Sequence, residues 1–278
     1  MKKILGVPKR LLIQLCFFLL QNPLLGNFFK GRIYQGEFKK VCTPGLNCYS
    51  CPAAVTSCPV GAFQLFLGGA KHNFNNISFF VAGFLLATGA VFGRFICGYV
   101  CPFGLFQDLL YKIKTPKLKP RFKYARYIKY VVLALFVIIL PYIIRCELSG
   151  LGSPWFCEYI CPAGTIFGAT PLLAANELLR SLLGWRFILK AAIALAVIVS
   201  SVFVFRIFCR VLCPLGAIYS LFNRFAVFKI NCDKNKCTSC GDCREACKVL
   251  LEPAEKPNSP ECIRCRECVS SCKSKALK

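Results

Sequence analysis

Histidine, methionine and acidic residues are scarce in this chain of 278 residues. His72 is the single histidine, and Met1 is the single methionine. A haem held by two histidines, or by histidine and methionine, needs ligands that this chain does not have. The sequence also lacks a phosphate-binding loop, a dinucleotide-binding glycine fingerprint and a hydrolase triad, which argues against nucleotide, flavin and hydrolytic sites. A metal-based redox cofactor must therefore be held mostly by the 21 cysteines.

The shortage of acidic residues leaves a net charge of +24, and this excess is unevenly distributed. Residues 1–230 hold 26 basic and 5 acidic side chains, whereas residues 231–278 hold 10 and 7. Hydrophobic residues make up 56% of the chain, and the mean hydropathy of +0.56 is typical of a membrane protein. The positive charge therefore predicts membrane anchoring and orientation, and no nucleic-acid partner.

Four apolar segments are long enough, with their flanks, to cross a hydrocarbon core of about 30 Å. These predicted spans are residues 11–29, 77–100, 130–144 and 187–208. The loop 112–129 contains eight basic residues and no acid, so the positive-inside rule places it in the cytoplasm. We therefore expect an all-α, four-span integral protein of a prokaryotic cytoplasmic membrane, with both termini in the cytoplasm.

Two cysteine runs with identical spacing lie near the C-terminus. The first is Cys237, Cys240, Cys243 and Cys247, and the second is Cys262, Cys265, Cys268 and Cys272. This spacing is typical of small bacterial ferredoxins with two [4Fe–4S] clusters, in which the fourth cysteine of each run ligates the other cluster. It predicts that Cys272 joins the first three cysteines of the first run, and that Cys247 joins those of the second. Structural zinc is an alternative, whereas a disulfide framework does not suit a domain that follows a membrane region.

The sequence thus predicts two domains. Residues 1–229 form a four-span membrane domain, and residues 230–278 form a bacterial ferredoxin-like domain. Lys248 and Lys273 stand where such ferredoxins usually have a proline after the fourth cysteine.

A second motif, Cys-Pro-x-Gly, begins at Cys58, Cys101, Cys161 and Cys213. The second and fourth copies follow the ends of two predicted spans. Each has a cysteine four residues earlier and an arginine three residues before that cysteine; these are Cys97 with Arg94, and Cys209 with Arg206. The pattern predicts a duplicated unit of two spans.

Proline disfavours helix for the residue before it and suits the first position of a new helix. Each Cys-Pro cysteine should therefore lie at a helix N-terminus, where the dipole stabilises a thiolate or an anionic cluster. We predict an inner group beside the cofactor-binding residues Arg94 and Arg206, and an outer group across a core of about 30 Å. The inner group is Cys97, Cys101, Cys209 and Cys213; the outer group draws on Cys48, Cys51, Cys58, Cys157 and Cys161. Iron–sulfur or other metal sites, thiol–disulfide pairs and simply buried cysteines all remain open here.

These features together resemble the NapH/NosR-type membrane iron–sulfur proteins. The resemblance rests on the four spans, the paired C-x3-C-P motifs and the C-terminal two-cluster run, and it covers residues 77–278. The preceding loop, with Cys42, Cys48 and Cys51, departs from NapH itself. The resemblance implies a quinol-linked electron carrier, or a maturation or regulatory protein for a partner reductase or oxidase.

We expect one-electron transfer between the ferredoxin domain and a quinone or partner redox protein. The chain would then be an electron-transfer subunit rather than a stand-alone enzyme. The alternatives are a maturation or redox-sensing protein, and a transmembrane thiol–disulfide relay. Asp108, four residues after Gly104, is either a proton relay for a quinol or a solvated helix cap.

Overall fold

The computed structural model describes residues 9–69, 76–120, 122, 124–144, 152–181 and 183–278. His72 and Cys146 lie outside these residues. Within the described part the fold is all-helical, as predicted, and isolated bridges pair Cys42 with Ser57 and Cys232 with Leu277.

Nine helices organise the described part of the membrane domain, several of them separated by two or three residues. They are α1 (Lys9–Gln21), α2 (Pro59–Gly69), α3 (Asn76–Phe92), α4 (Phe95–Tyr99), α5 (Pro102–Leu110), α6 (Ala125–Ile143), α7 (Trp185–Phe203), α8 (Ile207–Val211) and α9 (Pro214–Phe222). Helix α6 contains a π-helical stretch, Leu133–Ile139. Shorter helical pieces lie at Asn27–Lys30, Glu37–Lys40, Phe156–Ile160, Gly164–Ala169, Thr170–Ala175, Glu177–Ser181, Asp242–Glu245 and Glu267–Ser271.

Two of the helices, α6 and α7, are long and apolar enough to cross a membrane. Each has 19 residues, which corresponds to about 28 Å of helix. They match the third and fourth predicted spans. The apolar helices Phe79–Phe92 and Gly164–Ala175 are shorter, and α1 has 13 residues.

Helix α1 has its polar side chains inside and its apolar side chains outside. Arg10, Gln14 and Gln21 are buried, whereas Leu19 and Leu20 are exposed. Gln14 Nε2 donates to the carbonyl of Gly98 at 3.0 Å, and Gln21 Nε2 donates to that of Val100 at 3.0 Å. In water this arrangement would leave an apolar surface exposed.

Three predicted spans end earlier than the sequence suggested, and in the first of them, 11–29, the helix α1 ends at Gln21. The apolar pattern of 77–100 continues without interruption, but the helix stops at Phe92 because Gly93 adopts the left-handed conformation (φ 52°). In the second half, Val204 is extended and Arg206 is left-handed (φ 50°), so α7 ends at Phe203. Cys97 and Cys209 consequently lie on the short helices α4 and α8, which are separate from the long helices.

The C-terminal segment is fixed to the membrane domain by a buried ion-pair network around Glu261. Its carboxylate lies 2.9 Å from Arg94 Nη1 and 2.5 Å from Lys129 Nζ, and both cations are fully buried. Nearby, Asn223 Nδ2 donates to the carbonyl of Cys262 at 3.0 Å, and Arg264 Nη2 donates to that of Asn223. Because a buried charge is costly without its partner, this network determines where the segment docks.

Replacing Glu261 by glutamine should therefore destabilise the protein by about 3–5 kcal/mol, because two buried cations lose their counter-charge. The measurement is the free energy of unfolding of the full chain in detergent. Glu37→Gln is the control, since Glu37 pairs with Lys40 on the exposed surface and its loss should change little. Equal stability of the two variants would contradict this account of docking.

Candidate metal centres

The two cysteine runs of the C-terminal segment have the same backbone conformation, displaced by 25 residues. Left-handed residues occur at Ser239 and Arg264, at Gly241 and Arg266, and at Leu250 and Lys275. Left-handed conformation is unfavourable for residues other than glycine, so the loops adopt it for a structural reason. Alternation of right- and left-handed residues turns successive N–H groups inward, and such concave backbone binds anions, including iron–sulfur clusters. The loops therefore fit an anionic cluster in each run.

The cysteines group as the spacing predicts, with the fourth cysteine exchanged between runs. One group, the proximal set, lines a cavity next to the membrane domain: Cys247, Cys262, Cys265 and Cys268. Burial raises the pKa of the Cys268 thiol to about 12, and negative charge on the other three thiols contributes. The amide of Leu251 lies 3.5 Å from the sulfur of Cys247.

The other group, the distal set, lines a cavity of about 250 Å³ on the outer side of the segment: Cys237, Cys240, Cys243 and Cys272. Cys240 is exposed to solvent. Cys232, which belongs to neither cysteine run, lines the same cavity. Its pKa is raised by burial and by charge on Cys237, Cys243 and Cys272, so it is close to the distal set.

All four Cys-Pro-x-Gly motifs place their cysteine at the start of a helical segment. Cys101 and Cys213 are N-caps with proline at the first helical position, as proline's fixed φ favours. The Gly216 amide donates to the Cys213 sulfur at 3.3 Å. In the other three motifs, burial raises the cysteine pKa and the amide of the corresponding glycine opposes that effect. In each of the four motifs, the cysteine sulfur therefore lies next to the backbone N–H of the motif's own glycine.

The structure brings the predicted inner cysteines together. We call Cys97, Cys101, Cys209 and Cys213 the inner set. Burial raises the pKa of Cys101, Cys209 and Cys213, and in each case charge on another member contributes. All four are buried within one hydrophobic cluster.

Arg94 and Arg206 reach across this set in a symmetrical way. Arg94 Nη2 donates to the carbonyl of Cys209 at 3.0 Å, and Arg206 Nη1 donates to the carbonyl of Cys97. Both guanidinium groups are within electrostatic range of the inner thiols. Positive charge beside four thiols favours an anionic cofactor there.

Four of the five predicted outer cysteines also come together. We call Cys48, Cys58, Cys157 and Cys161 the outer set; burial raises the pKa of Cys157, and charge on the other three adds to that effect. Cys51 lies apart from this set. Its sulfur donates to Asn22 Oδ1 at 3.9 Å, and burial raises its pKa more than the charge on Cys48 does.

Two glutamines contact these sets, and neither was predicted from the sequence. Gln107 Nε2 donates to the sulfur of Cys209 at 3.0 Å, and Gln64 Nε2 donates to that of Cys157 at 3.3 Å. Both belong to the longer motif C-P-x-G-x-F-Q, which occurs at 58–64 and 101–107. A comparison of the two motif copies that continued three residues past the glycine would have identified both glutamines.

The inner and outer sets lie much closer together than the predicted 30 Å. The amide of Leu46 is 3.3 Å from the sulfur of Cys101, and Leu46 is two residues from Cys48. Chain geometry therefore limits the separation of the Cys48 and Cys101 sulfurs to about 15 Å. The loop 42–58 folds into the protein rather than remaining at the opposite membrane face. Tyr219 Oη, which donates to the Pro44 carbonyl at 2.8 Å, anchors that loop.

Asp108 is not a solvated helix cap. It is mostly buried and lies 2.6 Å from both Arg10 Nη2 and Arg206 Nη2. Burial alone would raise the pKa of this carboxyl, but the two arginines and Gln14 hold it below its ordinary value. Asp108 thus remains ionised and supports the orientation of Arg206.

The donor chemistry fits iron–sulfur clusters. Among the described residues, no three cysteine, histidine or acidic side chains converge closely enough to hold one metal ion. Thiolates around a single zinc ion are about 3.8 Å apart. A [4Fe–4S] cube takes four thiolates that lie farther apart, and the proximal and distal sets each supply four cysteines around one cavity. All the cysteines that the structure describes are free thiols.

Comparison with known families supports this chemistry. The family model described as a 4Fe-4S binding domain matches residues 74–123, 130–186 and 187–232, which together are more than half of the chain. The matches contain the last three Cys-Pro-x-Gly motifs. The first motif, at Cys58, lies outside them.

Several proteins share this region. MJ0749 and MJ0750 of Methanocaldococcus jannaschii are 31% identical over 194 residues and 32% identical over 191 residues. These matches cover 66% and 67% of this chain, and 63% and 72% of the relatives. The regulatory protein NosR of Stutzerimonas stutzeri is 29% identical over 196 residues, covering 66% of this chain and 24% of NosR.

The chain thus spans less than two thirds of MJ0749 and about a quarter of NosR. No solved structure matches the chain significantly. The motif geometry and the family match lead to the same conclusion: the chain belongs to the 4Fe-4S binding domain family and is a membrane-associated, ferredoxin-type iron–sulfur protein of the NapH/NosR kind.

Proposed function

We propose that this protein transfers single electrons between its ferredoxin domain and the inner set, and exchanges them with a quinone or a partner redox protein. One observation supports this most directly: the proximal set lies against the helix that holds Cys97. Tyr99 Oη donates to the carbonyl of Cys265 at 3.2 Å. A Cβ atom on Gly98 would lie 2.5 Å from the carbonyl oxygen of Ile263, so the two backbones are in direct contact.

Each bound [4Fe–4S] cluster would accept and release one electron. In this proposal the distal set holds one cluster, the proximal set holds a second, and the inner set holds a third. The residues of the chain determine the spacing, the burial and the local charge of these sites, which are the properties that set cluster potentials. The direct backbone contact keeps the proximal and inner sets adjacent.

Arg94 and Arg206 have a defined role in this proposal. An added electron makes a cluster more negative, so two buried guanidinium groups in range of the inner thiols favour the reduced state. Each arginine is held by a carboxylate: Glu261 for Arg94 and Asp108 for Arg206. Their position is therefore fixed before an electron arrives.

The distal set is the suitable entry or exit point for a soluble partner. Cys240 is exposed, and the adjoining cavity opens to solvent. Short distance to the surface favours electron exchange with a transiently bound redox protein. The proximal set, by contrast, is covered by the membrane domain.

For the topology we propose four membrane segments, α1, α3, α6 and α7, with both termini and the loop 112–129 in the cytoplasm. The basic residues of that loop support this orientation. The start of α6 packs near the ferredoxin domain through Lys129 and Glu261. The end of α6 packs against α2. The outer set then lies deeper in the membrane than the inner set, on the side away from the cytoplasm.

Redox sensing for a partner reductase or oxidase is a second candidate. The name of the relative NosR describes a regulatory protein. In that case the same clusters would respond to redox state without sustained electron flow. Steady turnover of a quinone or protein acceptor by the purified chain would favour transfer, and reduction that stops after one equivalent per cluster would favour sensing.

The exchange of the fourth cysteine gives a first test. Cys247→Ser should perturb the cluster of the second run, and Cys272→Ser that of the first, because each thiol lies in the other run's group. Electron paramagnetic resonance of the reduced variants distinguishes the two signals. Matching perturbations by Cys247→Ser and Cys243→Ser would overturn the assignment.

The inner set gives a second test. Full-length protein with Cys97→Ser and Cys209→Ser should lose about four irons relative to the unmodified chain, while both ferredoxin signals remain. Cys16→Ser is the control, because Cys16 is exposed on α1, far from the described thiol sets in sequence. Unchanged iron content in the double variant would leave the inner set without a cluster and remove the proposed transfer step.

Topology is tested with reporter fusions after residues 117, 153 and 278. We expect Lys117 and Lys278 in the cytoplasm and Ser153 on the opposite side. A cytoplasmic reporter at Ser153 would contradict the four-span arrangement. The result does not depend on whether any cluster is bound.

A further inference from the structure

We infer that the outer set is a second cluster site of the membrane domain, built on the same plan as the inner set and completed by Cys48 and Cys58. The family match includes Cys157 and Cys161 but begins only after both of the other cysteines. The inference rests on the proposed function in one respect, namely that thiolate sets of this repeat hold clusters.

The two sets share an unusual pair of hydrogen bonds. In the inner set, Gln107 Nε2 donates to Cys209 Sγ, and Gln107 Oε1 accepts from the amide of Phe208 at 3.2 Å. In the outer set, Gln64 Nε2 donates to Cys157 Sγ, and its Oε1 accepts from the amide of Phe156 at 2.9 Å. Each glutamine is six residues after a Cys-Pro cysteine, is fully buried, and contacts the cysteine of another motif copy. The glutamine that follows the first motif thus contacts the region of the third motif in the same way as the glutamine that follows the second contacts the region of the fourth.

This equivalence identifies the one cysteine of the inner set that has no counterpart in the outer half of the repeat. Cys97 lies four residues before Cys101, and the corresponding position before Cys58 is Ala54. With alanine there, only three thiols of the plan remain. A [4Fe–4S] cluster needs a fourth protein ligand.

Cys48 supplies that fourth thiol from the same loop. Its sulfur is 3.8 Å from the position a Cβ atom would occupy on Gly164, the glycine of the third motif. It is 3.4 Å from the corresponding position on Gly168. The Cys48 sulfur therefore lies within van der Waals contact range of both positions. Charge on Cys48 also raises the pKa of Cys161, after the larger effect of burial.

Positive charge accompanies the outer set, as the arginines accompany the inner one. Lys190 Nζ is 3.8 Å from the Gly164 Cβ position, and Lys190 and Lys39 both lie within electrostatic range of Cys48. A polythiolate cluster carries negative charge, so two nearby cations offset part of the cost of burying it. The four thiols, the sulfur-directed amide and the cations together make a complete site.

The position of this site extends the electron path. Since the sulfurs of Cys48 and Cys101 are separated by at most about 15 Å, electrons could leave the inner site without an intervening quinone. A quinone or protein acceptor would then react at the end of the membrane domain that contains Cys48. Proximal, inner and outer sites would form one continuous series.

Iron analysis of the anaerobically purified full chain tests the inference. The double variant Cys48→Ser, Cys58→Ser should lose about four irons. The ferredoxin signals and the inner site should remain, and the loss should add to that of the Cys97→Ser, Cys209→Ser variant. Cys51→Ser is the matched control: it lies in the same loop, is more buried than Cys58 and should lose no iron. Full iron content in the double variant, or equal loss from the Cys51 control, would overturn the inference.

The two glutamines provide a readout that does not depend on ligand removal. Gln64→Leu removes a hydrogen bond to a thiolate sulfur, which should lower the midpoint potential of the outer cluster and leave iron content unchanged. Gln107→Leu should lower that of the inner cluster instead. A separate outer cluster would be refuted if Gln64→Leu and Gln107→Leu shift the midpoint potential of the same cluster, or if Gln64→Leu shifts none. This test holds even if the cysteine variant fails to fold. If the Cys48→Ser, Cys58→Ser variant loses iron and the Cys97→Ser, Cys209→Ser variant does not, the proposed inner site is refuted and the outer site stands.

Discussion

Two buried arginines that cross between the halves of the repeat are the interaction on which the rest of the structure depends. Arg94 from the first half bonds to the carbonyl of Cys209, and Arg206 from the second bonds to that of Cys97. Neither guanidinium can be buried without compensation, so each recruits a carboxylate. Glu261 brings the ferredoxin domain to the membrane domain, and Asp108 brings the N-terminus through Arg10. The need to neutralise two charges thus assembles the domains around the inner thiols.

The interior is polar where it surrounds the thiols, and the outer surface is apolar. Buried Gln64, Gln107 and Lys129 contrast with exposed side chains such as Ile188 and Leu195 on α7. In a hydrocarbon surrounding this distribution is favourable, because the polar groups satisfy one another inside and the apolar groups contact lipid. The same arrangement gives sulfur atoms amide and cationic neighbours without solvent.

Much of the local chemistry could be predicted from the sequence, because short-range spacing determines it. The exchange of Cys247 and Cys272 between runs follows from spacing alone, and the geometry agrees with it. Helix ends were less predictable: the apolar pattern does not reveal that Arg206 adopts a left-handed conformation. Long-range packing was least predictable. Composition gives no sign that Leu46 contacts Cys101, so the outer cysteines were expected at the opposite membrane face.

The left-handed residues of the C-terminal segment have a consequence for how the protein is made. Five of them are not glycine, and left-handed backbone costs about 1–2 kcal/mol for such residues. The segment's two helices, Asp242–Glu245 and Glu267–Ser271, are too short to repay that cost through packing. In the proposed cluster-bound form, metal–thiolate bonds would supply that energy, as they do in other small metal-binding domains. Iron supply in the cell would then decide when Glu261 reaches its buried partners, which makes assembly of the membrane domain sensitive to cluster biosynthesis.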